Sequence, residues 1–270
     1  DSILLSALIY QYGQGIEEKR LANDVVFSYR FAPDINIGLY ANRPAWNDFW
    51  ACASERCLNC EVVLYSDVAD FYNQIYHHSV ENQLGESGFP NQGVKWTIDL
   101  LTSTTAGVSR GVPVGPHGIH LIAEATMIPI DNSLRTQGID FIRYADDIVV
   151  FCDSQRSATR ALRLIASILD KQQRLMLQRH KTEMYNRGAF RRKCADMIAD
   201  RPINDKEDRV LNVVGKYSKG DPYCFITYDR VSREDWNSVT EEMVTDIIQE
   251  YLQESDVDYI RLRWFYRRLT

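Results

Sequence analysis

The sequence predicts an α+β domain followed by an α-helical region, and three observations carry that expectation. β-rich runs, EVVLYSD at Glu61–Asp67 and the pair FIRY and IVVF on either side of residues 145–147, are interleaved with helical segments. A polar stretch containing glycine and proline, Arg201–Asp221, punctuates the chain. Beyond it the pattern is helical. The expected division is therefore a first domain at 1–200, a linker at 201–221, and at 222–270 the start of a helical, repeat-like domain that the sequence leaves incomplete.

Each element has a local reason. In FIRYADDIVVF, residues 141–151, two short β-branched or aromatic runs flank three residues, which predicts a tight hairpin with Asp146 and Asp147 at its tip. Past the linker, Ser232 and Asp235 form a start resembling a capping box. Trp236, Val239, Met243, Ile247 and Tyr251 then recur at steps of three and four, marking one buried helix face. A second helix is expected near Asp256. It runs into YIRLRWFYRRLT, an aromatic and basic stretch without a stop signal, and the chain opens on Asp1 rather than methionine, so a piece of a longer protein is expected.

At 270 residues and 45% hydrophobic content the chain can bury a full core. No apolar run approaches the roughly 20 residues that span a bilayer, and DSILLSALIYQYGQG lacks the basic flank of a secretory signal, so a soluble, cytoplasmic protein without a membrane partner is expected. The six cysteines read as reduced thiols. Cys52, Cys57 and Cys60 end in a C-x2-C pair, but no fourth ligand follows at zinc-finger spacing. A net charge of −6 suits a nucleic-acid enzyme poorly, yet the charge is uneven: residues 151–200 hold 11 Lys and Arg against 5 Asp and Glu. Arg187, Arg191, Arg192 and Lys193 read as a patch for a phosphate backbone or as a solvated helix face.

Two adjacent acids at a turn are often only solvated. Asp67 changes that reading, because it ends another β-rich run just before the apolar and aromatic VADFYNQIY. Three carboxylates at strand ends can converge and bind hard divalent cations, and two Mg2+ ions roughly 4 Å apart activate a 3′-hydroxyl and stabilise leaving pyrophosphate. That chemistry is nucleotidyl transfer.

At these residues the chain resembles a family. SDVADFYNQI is similar to motif A of the reverse transcriptases, GVPVGPHGIHLIAEA to motif B, RYADDIVVF to motif C and LMLQRHKTEMY to motif D, in the family's order over Asp67 to Tyr185. The resemblance implies fingers and palm followed by the helical region. It also implies metal binding by Asp67, Asp146 and Asp147 with the backbone carbonyl of Val68, and two Mg2+ ions, with Mn2+ as an alternative. Tyr72, five residues after Asp67, matches the aromatic residue beneath the sugar, whose bulk excludes a 2′-hydroxyl and makes dNTPs the substrate. Lys181 matches the motif D lysine that protonates pyrophosphate as it leaves.

Motif B departs from the family. Where a glutamine commonly stands between proline and glycine this chain has Val114, so the polar nucleotide contact is lost, although the backbone of Gly115 can still approach the nucleotide closely. The P-V-G-P-H segment, SYRF at Ser28–Phe31 and the short fingers resemble the abortive-infection or defence-associated reverse transcriptases of bacteria. That resemblance implies a DNA product, an RNA template or non-coding RNA partner or no template at all, a nucleic-acid or protein primer, and a homo-oligomer in the bacterial cytoplasm.

Smaller signals stay open between two uses. Arg30 is placed for the incoming triphosphate or for a structural salt bridge. His77, His78, His117 and His120 lack companion ligands at metal spacing and read as packing residues. Two other classes compete with a defence polymerase: a retron or mobile-element reverse transcriptase, and a catalytically silent nucleic-acid-binding assembly module. The three carboxylates weigh against the silent module, since binding alone does not require them.

Overall fold

The computed structural model describes residues 2–35, 38–41, 43–114, 117–198, 205–218 and 231–253. They fall in two compact units, Asp1–Ala199 and Asp200–Thr270. The first combines helix and sheet as expected. Its centre is a four-stranded antiparallel sheet in the order β4 (Phe141–Tyr144), β5 (Asp147–Cys152), β3 (Val62–Asp67) and β6 (Glu183–Asn186).

Both faces of this sheet are covered, which is why its inner strands read as nearly unbroken apolar runs rather than as an alternation. On one face Leu64, Ile148 and Val150 pack with α6 (Gly118–Thr136) and α7 (Gln155–Gln173) through residues such as Ile122, Ile165 and Leu169. On the other, Val63, Tyr65, Val149 and Phe151 meet Phe49 and Trp50 of α2 (Ala45–Arg56) and Phe190 and Cys194 of α8 (Arg187–Ile198). Helix α6 is buried nearly all round, and α1 (Ser2–Glu17), α4 (His77–Glu86) and α5 (Asn91–Thr104) complete the layer around it. A small hairpin, β1 (Phe31–Asp34) with β2 (Gly38–Tyr40), and the short α3 (Phe71–Gln74) finish the unit. Among the described residues no helix is long and apolar enough to cross a membrane.

The hairpin 141–151 forms, with a tighter tip than expected. Asp147 already pairs with Tyr144, so only Ala145 and Asp146 connect the strands, and Ala145 takes a left-handed φ of 50°. The five described cysteines are free thiols, and burial raises all of them, Cys152 to about 11 and Cys194 to about 12.

In the second unit the region expected as a linker carries a helix, α9 (Asp205–Ser218). Its polar composition hid Val210, which is buried against Ile247. The single helix expected from Ser232 is two, α10 (Arg233–Ser238) and α11 (Glu241–Gln253). Ser232 does cap the first by accepting from the Asp235 N–H. The break follows because Thr240 caps again, accepting from the Met243 N–H at 3.1 Å. The expected helix near Asp256 and the RLRWFYRRLT tail lie outside the described residues.

Candidate active site

Antiparallel pairing places Asp67, the last residue of β3, directly opposite Asp147, the first of β5. Side chains alternate along a strand, so both point to the face that holds Tyr65 and Val149, with Cβ atoms about 4.5–5.5 Å apart as for any directly opposed pair. Asp146 joins them from the turn, its carbonyl accepting from the Val68 N–H at 3.1 Å. The segment before β6 runs alongside: the Ala69 N–H donates to Met176 O at 2.8 Å and the Gln178 N–H to Asp67 O at 2.7 Å. That path delivers Lys181, whose Nζ lies 2.6 Å from Asp67 Oδ2. The structure thus gathers Asp67, Val68, Asp146, Asp147 and Lys181 at one end of the sheet.

Their electrostatics follow from this crowding. Burial, then the Asp67 charge, pushes the Asp146 carboxyl up to about 6. Asp147 is pushed up to about 7 by burial, with Asp146 and Asp67 adding to it and the Tyr65 hydroxyl, which donates to its Oδ1, opposing. Lys181 is raised by its hydrogen bond to Asp67. Tyr65 is raised far above the usual phenol range by burial and by Asp147, and Lys193 stands 4.6 Å from the centre of its ring. Sequence reasoning missed Tyr65 because it reads as an ordinary strand aromatic.

Among the described residues no group of three or more His, Cys, Asp or Glu is arranged to hold a metal ion. Asp67 is turned to Lys181 and Asp147 to Tyr65. The donor set nevertheless fits a hard divalent cation. It consists of carboxylate oxygens, and two of the three carboxyls are raised, first by burial and then by the neighbouring carboxylate charges.

Behind the turn lies a buried charge network that the sequence did not announce. Arg143, 0% exposed, donates to both carboxylate oxygens of Asp131 at 2.8 and 2.7 Å and to those of Glu124 at 3.2 and 2.9 Å. Its Nη1 also donates to Ala145 O at 2.7 Å. Arg20 donates to Glu124 at 2.8 Å. Ser28 Oγ donates to Glu124 at 2.6 Å and accepts from the Ala145 N–H at 2.8 Å. Both backbone polar groups of left-handed Ala145 are therefore held from below, next to Asp146. Burial alone would raise Glu124, but Arg143 and Arg20 hold it below the usual carboxylate range. Burial also works against the Arg143 charge, and Asp131 and Glu124 more than offset it. The available signal was charge inside apolar runs: Glu124 and Asp131 are two helical turns apart in α6, and Arg143 interrupts a strand.

The residues expected around the nucleotide are less uniform. Tyr72 is half-buried on α3, and its hydroxyl is hydrogen-bonded to His120 Nδ1 at 2.7 Å. Val114 is 61% exposed ahead of α6, and Gly115 lies outside the described residues. Arg30 has the partners of the structural alternative: it is buried, ion-paired with Glu17, and donates to Leu21 O at 2.8 Å. His77 is a packing residue, its Nε2 2.8 Å from Gly111 O. The basic patch is partly engaged within the fold, because Arg187 donates to Cys60 O and Lys193 covers Tyr65, although Arg187, Arg191 and Arg192 are all exposed.

The family model described as "Reverse transcriptase (RNA-dependent DNA polymerase)" matches residues 19–218, and the chain belongs to that family. It is accordingly an enzyme of the DNA nucleotidyltransferase class, acting on dNTPs and nucleic acid. No curated protein matches the chain.

Proposed function

We propose that this chain is the fingers-and-palm core of a two-metal DNA polymerase that serves bacterial anti-phage defence. The observation that carries the catalytic part is the opposition of Asp67 and Asp147 across neighbouring strands with Asp146 beside them. Asp67, Asp146, Asp147 and the Val68 carbonyl would hold two Mg2+ ions, or Mn2+, which when bound activate the primer 3′-hydroxyl and stabilise the leaving pyrophosphate. Lys181, whose Nζ is 2.6 Å from Asp67, would give a proton to pyrophosphate as it departs. Tyr72, on the helix that follows Asp67, lies beneath the sugar and excludes a 2′-hydroxyl. Val114 offers an apolar surface where the family commonly places glutamine, with Gly115 beside it for close approach of the nucleotide. The defence assignment rests on the P-V-G-P-H and SYRF segments. With it come an RNA template, a non-coding RNA or no template, a DNA product and self-association.

The test is to incubate purified protein with Mg2+ and each labelled dNTP or NTP, with and without template and primer, and to size the products. Incorporation of dNTPs is expected, and cells carrying the Asp146→Asn protein should lose phage protection. No incorporation under any of these conditions would favour a nucleic-acid-binding module instead.

A further inference from the structure

Tyr72 does not stand alone. Its hydroxyl meets His120 Nδ1 at 2.7 Å, and the two rings are edge to face at 5.7 Å and 88°. His120 sits in the first turn of α6, 2% exposed, and its other side is stacked on Tyr29, with centroids 4.2 Å apart and planes 3° from parallel. Tyr29 carries a left-handed φ of 44°, a conformation that costs a residue with a Cβ free energy and persists only where neighbours enforce it. Those neighbours are fixed: Ser28 by Glu124 and Ala145, Arg30 by Glu17. Tyr40 closes the group, its ring 5.4 Å from Tyr29 and its hydroxyl accepting from the Leu121 N–H at 3.2 Å and donating to His117 O. A chain of contacts thus runs from the buried charge network through Tyr29 and His120 to the Tyr72 hydroxyl.

Rejecting a 2′-hydroxyl means resolving one oxygen atom, and a tyrosine ring can do so only if it is held within about 0.5 Å of its working position. The Tyr72 ring has edge contacts with Phe71 and His120, and the hydrogen bond at its far end adds a directional restraint. Burial, with the neighbouring His117, keeps the His120 imidazole down at about 4, so near neutral pH it is uncharged and keeps one nitrogen as an acceptor.

We propose that His120 determines sugar specificity as a positioning residue: held by the Tyr29 stack, it fixes the Tyr72 ring against the 2′ position of the incoming nucleotide. This rests on the reading of Tyr72 as the residue beneath the sugar.

The test compares kcat/KM for a dNTP and the matching rNTP in wild type, His120→Phe, His120→Gln, Tyr72→Phe and Tyr72→Ala. Only the dNTP-to-rNTP ratio is read, because a loss of folded protein cancels from it. His120→Phe keeps the ring and its stack but removes the nitrogen, and should lower the ratio severalfold, up to about tenfold, the equivalent of one hydrogen bond. His120→Gln, which retains a polar partner, should recover part of it. Tyr72→Phe removes the same bond from the other side, should lower the ratio similarly, and serves if His120→Phe does not fold. A ratio unchanged in both Phe variants while Tyr72→Ala lowers it overturns the role of His120 and leaves the gate intact. A ratio unchanged in Tyr72→Ala overturns the gate itself, and the proposal with it.

Discussion

Two sets of carboxylates border the turn at Ala145–Asp146, and they are treated in opposite ways. Behind the turn, Glu124 and Asp131 are 1% exposed; Arg143 bonds to both within the fold, and Arg20 bonds to Glu124. In front, Asp67, Asp146 and Asp147 meet the Lys181 ammonium, which is 55% exposed, and the Tyr65 hydroxyl, and two of the three are pushed up to about 6 and 7. The rear carboxylates are paired with guanidinium groups, although burial still raises Asp131, whereas the front set is met by one half-exposed ammonium and one hydroxyl. The first set fixes the backbone of the turn; the second is the set proposed above to take cations from solution.

The comparison breaks most sharply at Asp146. Asp146→Asn should lower dNTP incorporation at least about 1,000-fold, since it removes a charged ligand from the reacting centre. Its melting temperature should stay level or rise, because the lost charge was repelled by Asp67. Arg143→Met should do the reverse: it removes the guanidinium bonded to buried Asp131 and leaves Glu124 to Arg20 and Ser28, and should cost about 3–5 kcal/mol of stability, read from urea unfolding.

A smaller effect appears on titration without divalent cations. Asp146 and Asp147 titrate at about 6 and 7 in the folded chain, above the ordinary 3.8, so the folded state favours their protonated forms. The stability they contribute is fully present below about pH 4 and is lost as pH rises through about 6 to 7. The melting temperature in EDTA should fall across that window, and the fall should be absent in an Asp146→Asn, Asp147→Asn double variant. An identical slope in the double variant would show that the two acids are compensated after all.

Legibility in the sequence follows the same division. The inner strands were readable because both sheet faces are buried, which leaves near-continuous runs such as VVLY and IVVF. The grouping of the front carboxylates was readable because Asp67 closes one β-rich run and Asp146 and Asp147 sit where two others meet. The rear network was not, since a charge in FIRY or in LIAEATMIPID reads as a solvent-facing position until tertiary packing brings opposite signs together. Arg30 was undecided for the same reason: only the return of the chain past Glu17 settles its partner. In the second unit, α9 escaped notice because Val210 gains its apolar environment from Ile247, 37 residues further on.

The most direct measurement of the central claim is calorimetric titration of Mn2+ into wild type and into an Asp67→Asn, Asp146→Asn double variant, at about pH 6.5 in two buffers of different ionisation enthalpy. Wild type should bind Mn2+ with release of protons, because carboxyls pushed up to about 6 and 7 are partly protonated there, and the variant should lose that binding. Indistinguishable isotherms from the two proteins would contradict that claim.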